Sequence, residues 1–155
     1  MPYLKGAVRV ISSPLLRACQ TAETLGPPII IDDRWIEVDY GIHDGLPIEE
    51  VQSDVFSPMR DDVRWAPEGG ESLEQVAERV EEACEEIWLE AAQRDVVVVS
   101  HVSPIKAAVA WALGAERESV WRMFVEVASV SRIGAGPDGR PSLRSFNEIH
   151  HRPSD

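Results

Sequence analysis

The spacing of apolar positions changes several times along this chain, and each change marks an element. Val96 to Val99 are four consecutive valines, a pattern expected of a strand buried on both faces in a parallel sheet covered by helices. The stretch SHVSPIKAAVAWALG follows. In it Ser103 reads as a helix N-cap, Pro104 as the first helical residue and Gly114 as the helix stop. The same grammar occurs near the start, where Val8, Val10 and Ile11 precede Ser12, Ser13 and Pro14, and LLRACQTAETL runs to Gly26. Ile29 to Ile31 read as a further short strand entered through two prolines.

Between these units the pattern is less regular. Gly41, Asp44-Gly45 and Pro47 mark a loop, and Ile48 to Val51 begin a short helix. SDVFSPMRDDVRWAPEGG mixes prolines, glycines and charges and reads as an irregular insertion with one helical turn, of the kind used as a lid or binding loop. The segment from Glu71 to Arg94 is the clearest helix. Ser72 and Gln75 fit a capping box, and Leu73, Val76, Ala77, Val80, Cys84, Ile87 and Ala91 recur on one face. The glutamates on the other face read as a solvated surface. Trp88 and Trp111 are assigned to packing. ERESVWRMF reads as a short helix, and VEVASVSRI and SLRSFNEIH read as two strands around the turn Pro137-Asp138-Gly139. The element order predicts an α/β three-layer sandwich, with a mainly parallel sheet and an antiparallel edge strand, in a single domain over residues 1–155.

Composition narrows the function classes. The 15 basic and 27 acidic residues leave a net charge of −12, which argues against nucleic acid or an anionic membrane as partner. It leaves a phosphorylated metabolite open, because a local cluster of donors can outweigh the global charge. No apolar run approaches the ~20 residues needed to span a bilayer, and the N-terminal stretch is too short for a secretory signal. A cytoplasmic location is expected. Cys19 and Cys84 form no CxxC pair and read as reduced, half-buried thiols. His43, His101, His150 and His151 lack metal-ligand spacing, so no metal and no cofactor is expected.

Candidate chemistry lies where the two repeated units would meet. His101 falls in the turn between a parallel strand and a helix N-terminus, where open α/β sheets bind ligands and where free N–H groups favour an anion. Arg17 falls in the first turn of the earlier helix. If both strands share a sheet, an arginine fork and an imidazole converge, a combination suited to phosphate. Either unit alone reads equally well as a capped βα element without chemistry. Their duplication favours a site.

Four motifs in order, SSPLLRACQTAETL, EVDYGIHDGL, EGGESLEQVAERV and VVVVSHVSPIKAAV, resemble the histidine phosphatase superfamily, which includes phosphoglycerate mutases and acid phosphatases of that fold. The match runs from about Val8 to His150. The resemblance implies that Arg17 clamps phosphate and that His101 is the second histidine, hydrogen-bonding the phosphoryl group. It implies a further donor in the Val102 N–H, an acid in Glu37 that protonates the leaving oxygen, and a substrate-side aromatic in Tyr40. The competing reading of Glu37 is an ion pair with Arg34. Phosphate or a small phosphorylated metabolite is the implied ligand. The variable loop lacks the basic cluster of bisphosphate-handling mutases, which favours a monoester phosphatase. His43 stands where many relatives have an aromatic, and reads as an exposed polar residue rather than a substrate contact.

One departure shapes the expectation of activity. The family's nucleophile is a histidine in an Arg-His-Gly segment at the end of its first strand, and no arginine in these 155 residues is followed by histidine. The resemblance then implies a phosphoglycerate mutase-like fold missing its first strand and helix. Such a truncated chain would leave an exposed sheet edge through which two copies could pair. On this expectation the chain has little or no phosphatase activity. The alternative is a pseudoenzyme that binds a phospholigand or a protein, and a third reading is an enzyme completed by another polypeptide.

Overall fold

A computed structural model of the chain describes residues 8–151. Three parallel strands form the central sheet in the order β2-β1-β3, with β1 at Arg9–Ser12, β2 at Ile29–Ile31 and β3 at Val96–Val99. Register pairs Ser12 with Ile31 on one side and with Val99 on the other. The chain leaves β1 toward β2 on one side and returns as β3 on the other. The β1/β3 boundary is therefore a switch point, the position at which an open parallel sheet leaves a crevice beyond its strand ends.

Helices α1 (Leu16–Glu23), α4 (Leu73–Ala91) and α5 (Val102–Leu113) connect and cover the strands. The α4 start follows the sequence expectation: Ser72 Oγ accepts from the Gln75 N–H at 3.2 Å, and Gln75 Oε1 accepts from the Ser72 N–H at 2.9 Å. Its inner face buries Val76, Ala77, Val80, Ala83 and Cys84 against Ile11, Trp35, Ala107 and Ala108. Ala91, expected on that face, is exposed where the helix ends. Burial pushes the Cys84 thiol up to about 12, so it stays a protonated core side chain. Trp88 and Trp111 meet edge to face at 5.8 Å, a packing contact between α4 and α5.

Two other expectations need adjustment. The antiparallel strands β4 (Val130–Ala135) and β5 (Pro141–Glu148) form a two-stranded ribbon of their own, with Val130 opposite Glu148 and Ala135 opposite Pro141. Ile48–Val51 form the expected short helix, α2, but the insertion that follows is more helical than one turn. A π-helical turn at Gln52–Phe56 leads into α3 (Ser57–Asp61). Val51, Val55 and Met59 are spaced four apart and buried, so one helical stripe docks this segment on the core. Pro58 sits in the first turn of α3, where its missing N–H costs little. Among the described residues no helix is long and apolar enough to cross a membrane, and no group of three or more His, Cys, Asp or Glu could hold a metal.

Candidate functional site

The C-terminal ends of β1 and β3 build one corner. The Ser13 N–H donates to Val99 O at 3.0 Å, continuing the ladder one residue past β1. That contact brings Ser13 Oγ within 2.7 Å of His101 Nε2, with both residues buried. Ser13 Oγ also accepts from the Leu15 N–H at 3.3 Å, and so helps turn the chain into α1. Pro14 lies before the helix, not at its first position. At the other corner α5 begins two residues earlier than the sequence pattern predicts. His101 itself occupies the N-cap and Val102 the first helical position, so Ser103 does not cap.

The Ser103 backbone has a different task. Its N–H donates to Glu37 Oε1 at 3.1 Å, and the Val38 N–H donates to the same oxygen at 2.9 Å. Glu37 is thereby anchored to the start of the helix that His101 opens. The competing ion pair with Arg34 is excluded, because Arg34 binds Asp32 at 2.7 Å and Glu86 at 2.8 Å. Ser100 Oγ donates to Trp35 O at 2.7 Å and ties the end of β3 to the segment leading to Glu37.

Two glycines hold the loop that carries Glu37 and Tyr40. Gly41 has φ +58°, and a Cβ there would overlap Glu68 O. A Cβ on Gly70 would lie 2.5 Å from Asp39 O. The Glu71 N–H donates to Asp39 O at 2.8 Å across this crossing. Arg79 then braces the arrangement, binding Glu71 through two nitrogens at 2.7 and 2.8 Å and Arg34 O at 2.6 Å.

Electrostatics give these groups different characters. Burial, and next the Arg17 charge, lower the proton affinity of His101 below the ordinary histidine value of 6.5, against a weaker opposing pull from Glu37. The ring is therefore neutral at pH 7. Arg17 is exposed at the second position of α1 yet acts on His101, so the two residues share one electrostatic environment. Burial, reinforced by Glu37, pushes the Tyr40 hydroxyl up to about 12. It stays protonated, with the Ser103 side chain opposing the shift, and packs edge to face on Phe56 at 5.6 Å. His43 lies in a 3₁₀ turn at Gly41–His43 and is half-buried.

The structure thus gathers His101, Glu37 and Tyr40 around the start of α5, where Val102 is also found, with Arg17 acting on His101 from α1. The sequence pattern missed Ser13, the Ser103 N–H and Lys106. Lys106 lies one turn into α5 and is half-buried beside Glu37. Apart from the doubled Ser-Ser-Pro and Ser-Pro punctuation, no local signal marks them, because their partners lie 66 to 88 residues away.

The profile of the histidine phosphatase superfamily (branch 1) matches residues 4–149. The chain is 34% identical over 150 residues to a bifunctional protein of Mycobacterium tuberculosis, a match covering 92% of this chain and 41% of that protein. It is 36% identical over 135 residues to phosphoserine phosphatase 1 of Hydrogenobacter thermophilus, covering 80% of this chain and 63% of the enzyme. A mycobacterial glucosyl-3-phosphoglycerate phosphatase, solved in complex with VO3, superposes with a TM-score of 0.79 at 27% identity, over 94% of this chain and 78% of that one. The chain spans less than two thirds of the length of these curated relatives.

These findings correct the expectation of a truncated, inactive chain or pseudoenzyme. Relatives named as phosphatases match across most of it, and the corner is formed: a buried His101 bonded to Ser13, and Glu37 fixed by two amides. The expectation rested on a motif absent from 155 residues. A stretch that covers only part of its relatives' length is no measure of the whole protein's activity.

Proposed function

The chain belongs to the histidine phosphatase superfamily, and from that premise we propose that it serves the hydrolysis of small phosphomonoesters at the corner between β1 and β3. The observation that carries this reading is the joint fixation of His101 by Ser13 and of Glu37 by the Ser103 N–H at one helix N-terminus.

In this reading Arg17, His101 and the Val102 N–H take the phosphoryl oxygens, supplying positive donors where charge accumulates. A bound phosphate dianion opposes the effect of Arg17 and burial on His101, so the ring takes up a proton as the ligand arrives. Glu37 gives its proton to the leaving alcohol oxygen as the phosphorus–oxygen bond breaks. The oxygen of water ends on phosphorus. One of its protons restores Glu37 and the other stays with phosphate, so the products are an alcohol and hydrogen phosphate. Tyr40 forms a wall on the leaving-group side. The resemblance implies that the phosphoryl group passes through a histidine of an Arg-His-Gly motif. That motif is not within these 155 residues, so the attacking atom is assigned to no residue of this chain, and hydrolysis is proposed for the whole protein.

Relatives named as phosphatases support a phosphatase over a mutase. Calorimetric titration with vanadate tests the phosphoryl site. Wild-type protein binds, and Arg17→Ala weakens binding at least tenfold by removing a charged donor. Equal binding by the two proteins would remove Arg17 from the site.

A further inference from the structure

Beside the phosphoryl corner lies a cavity of about 200 Å³. It runs along α5 from Val102 and Ser103 past Lys106 to Ala110, and Tyr40, Phe56 and Trp121 close its other side. Its walls are mostly apolar, and the two cations on them differ in kind. Arg117 is engaged: it binds Glu81 through both terminal nitrogens, one at 2.8 Å, and approaches Glu74 at 3.6 Å. Lys106 has no hydrogen bond or ion pair among the described residues. It is half-buried, and burial lowers its proton affinity while Glu37 is the charge that opposes the shift. A half-buried ammonium without a partner is costly, and the cost falls when an anion arrives. Trp121 lines the same cavity, and its buried Nε1–H has no acceptor among the described residues.

Position gives the distance. Lys106 is five residues beyond His101, about 7.5 Å along a helix axis. Helical side chains tilt toward the N-terminus, so the long lysine stem leans back toward the phosphoryl corner. The proximity of Glu37 to Lys106 agrees with that direction. A ligand with its phosphoryl group at His101 would lay the next several ångströms of its body against Phe56, Tyr40 and Trp121, and its far end against Lys106. The cavity is below the 300–1,000 Å³ typical of drug-sized ligands, which favours a compact leaving group over a nucleotide or a peptide.

We infer that Lys106 is a specificity-determining residue, selecting phosphomonoesters whose alcohol part is a compact apolar body ending in a carboxylate. The inference rests on the phosphatase reading above and adds the substrate class to it. The carboxylate pairs with the ammonium, while the apolar walls exclude water from the pair.

The test compares two esters of equal shape, 4-carboxyphenyl phosphate and 4-carbamoylphenyl phosphate, which differ in charge at the far end. The readout is the ratio of their kcat/KM values, so that general damage to the site cancels. Wild-type protein favours the carboxylate ester. Lys106→Met lowers the ratio at least tenfold, chiefly through KM, and Lys106→Arg retains most of it. A ratio equal in wild-type and Lys106→Met proteins overturns the inference whatever the absolute rates. If neither ester is hydrolysed, the phosphatase reading fails, and the same ratio is read from calorimetric Kd values for the two esters. An unaltered Kd ratio in Lys106→Met then overturns the Lys106 assignment separately.

Discussion

His101 meets two demands with one geometry. Its ring is buried against Ser13, which fixes its orientation, and it lies in the field of Arg17, which disfavours its charged form. The sign of the resulting pH dependence follows. The folded state holds the His101 proton less tightly than the unfolded chain, so stability is fully present above about 6.5 and is lost as pH falls through the lower folded-state value. Chemical denaturation between pH 7 and pH 5 should show this slope, and His101→Gln should flatten it. Imidazole NMR titration should place the His101 midpoint below that of an exposed histidine, and saturating phosphate should raise it. A midpoint unmoved by phosphate would mean that the anion does not reach the ring. For Glu37, replacement by Gln should lower kcat about 10²- to 10⁴-fold for an alkyl phosphate and much less for an aryl phosphate whose leaving group needs no proton. Equal losses would deny Glu37 the role of acid. His101 and Arg17 stood out in the sequence because each lies at a punctuation point, a strand end or a helix start, whereas Glu37 was pointed to only by the family resemblance. Ser13 and the Ser103 N–H did not stand out, because what makes them functional is a partner brought close only by the β1/β3 pairing.

At the scale of elements, local grammar and tertiary demand agree in some places and part in others. The α4 capping box was readable from two residues, and Ser72→Ala should cost about 1 kcal/mol, measured as a lowered denaturation midpoint at unchanged slope. Gly114 stops α5 in the left-handed conformation, at φ 60°, as the pattern required. The start of α5 differed: His101 took the N-cap, and the N–H of Ser103 became the anchor of Glu37. The short helix at Ile48–Val51 was readable, but the segment after it was obscured by its prolines and charges, although the spacing of Val51, Val55 and Met59 held the helical signal. The glycine crossing at Gly41 and Gly70 was invisible in the sequence, since it is a contact between two loops. Gly41→Ala would force backbone apart in a strained conformation. It should destabilise the protein and weaken vanadate binding together, because the same loop carries Glu37 and Tyr40. A variant with normal binding would uncouple the loop crossing from the site.

At the scale of the whole molecule, the parallel order β2-β1-β3 accounts for the position of the chemistry. Reversal of direction at β1 opens a crevice beyond its C-terminal end, and the two serine-punctuated turns line it with a histidine, an arginine and a helix N-terminus. The α/β class and the meeting of the two turns were legible from hydrophobic runs alone. Separation of β4 and β5 into their own ribbon was not, because the pairing of distant strands leaves no periodicity behind. Nor could the sequence alone decide activity: an absent motif argued against it, while the formed corner and the phosphatase relatives argue for it. The most direct measurement is the rate at which the protein releases p-nitrophenol from p-nitrophenyl phosphate, compared with His101→Ala of matched thermal stability. The account predicts vanadate-inhibited turnover in the wild type and a loss of at least 10²-fold in the variant, in line with removal of an electrostatic donor. No turnover in the wild type, or an equal rate in His101→Ala, would contradict it.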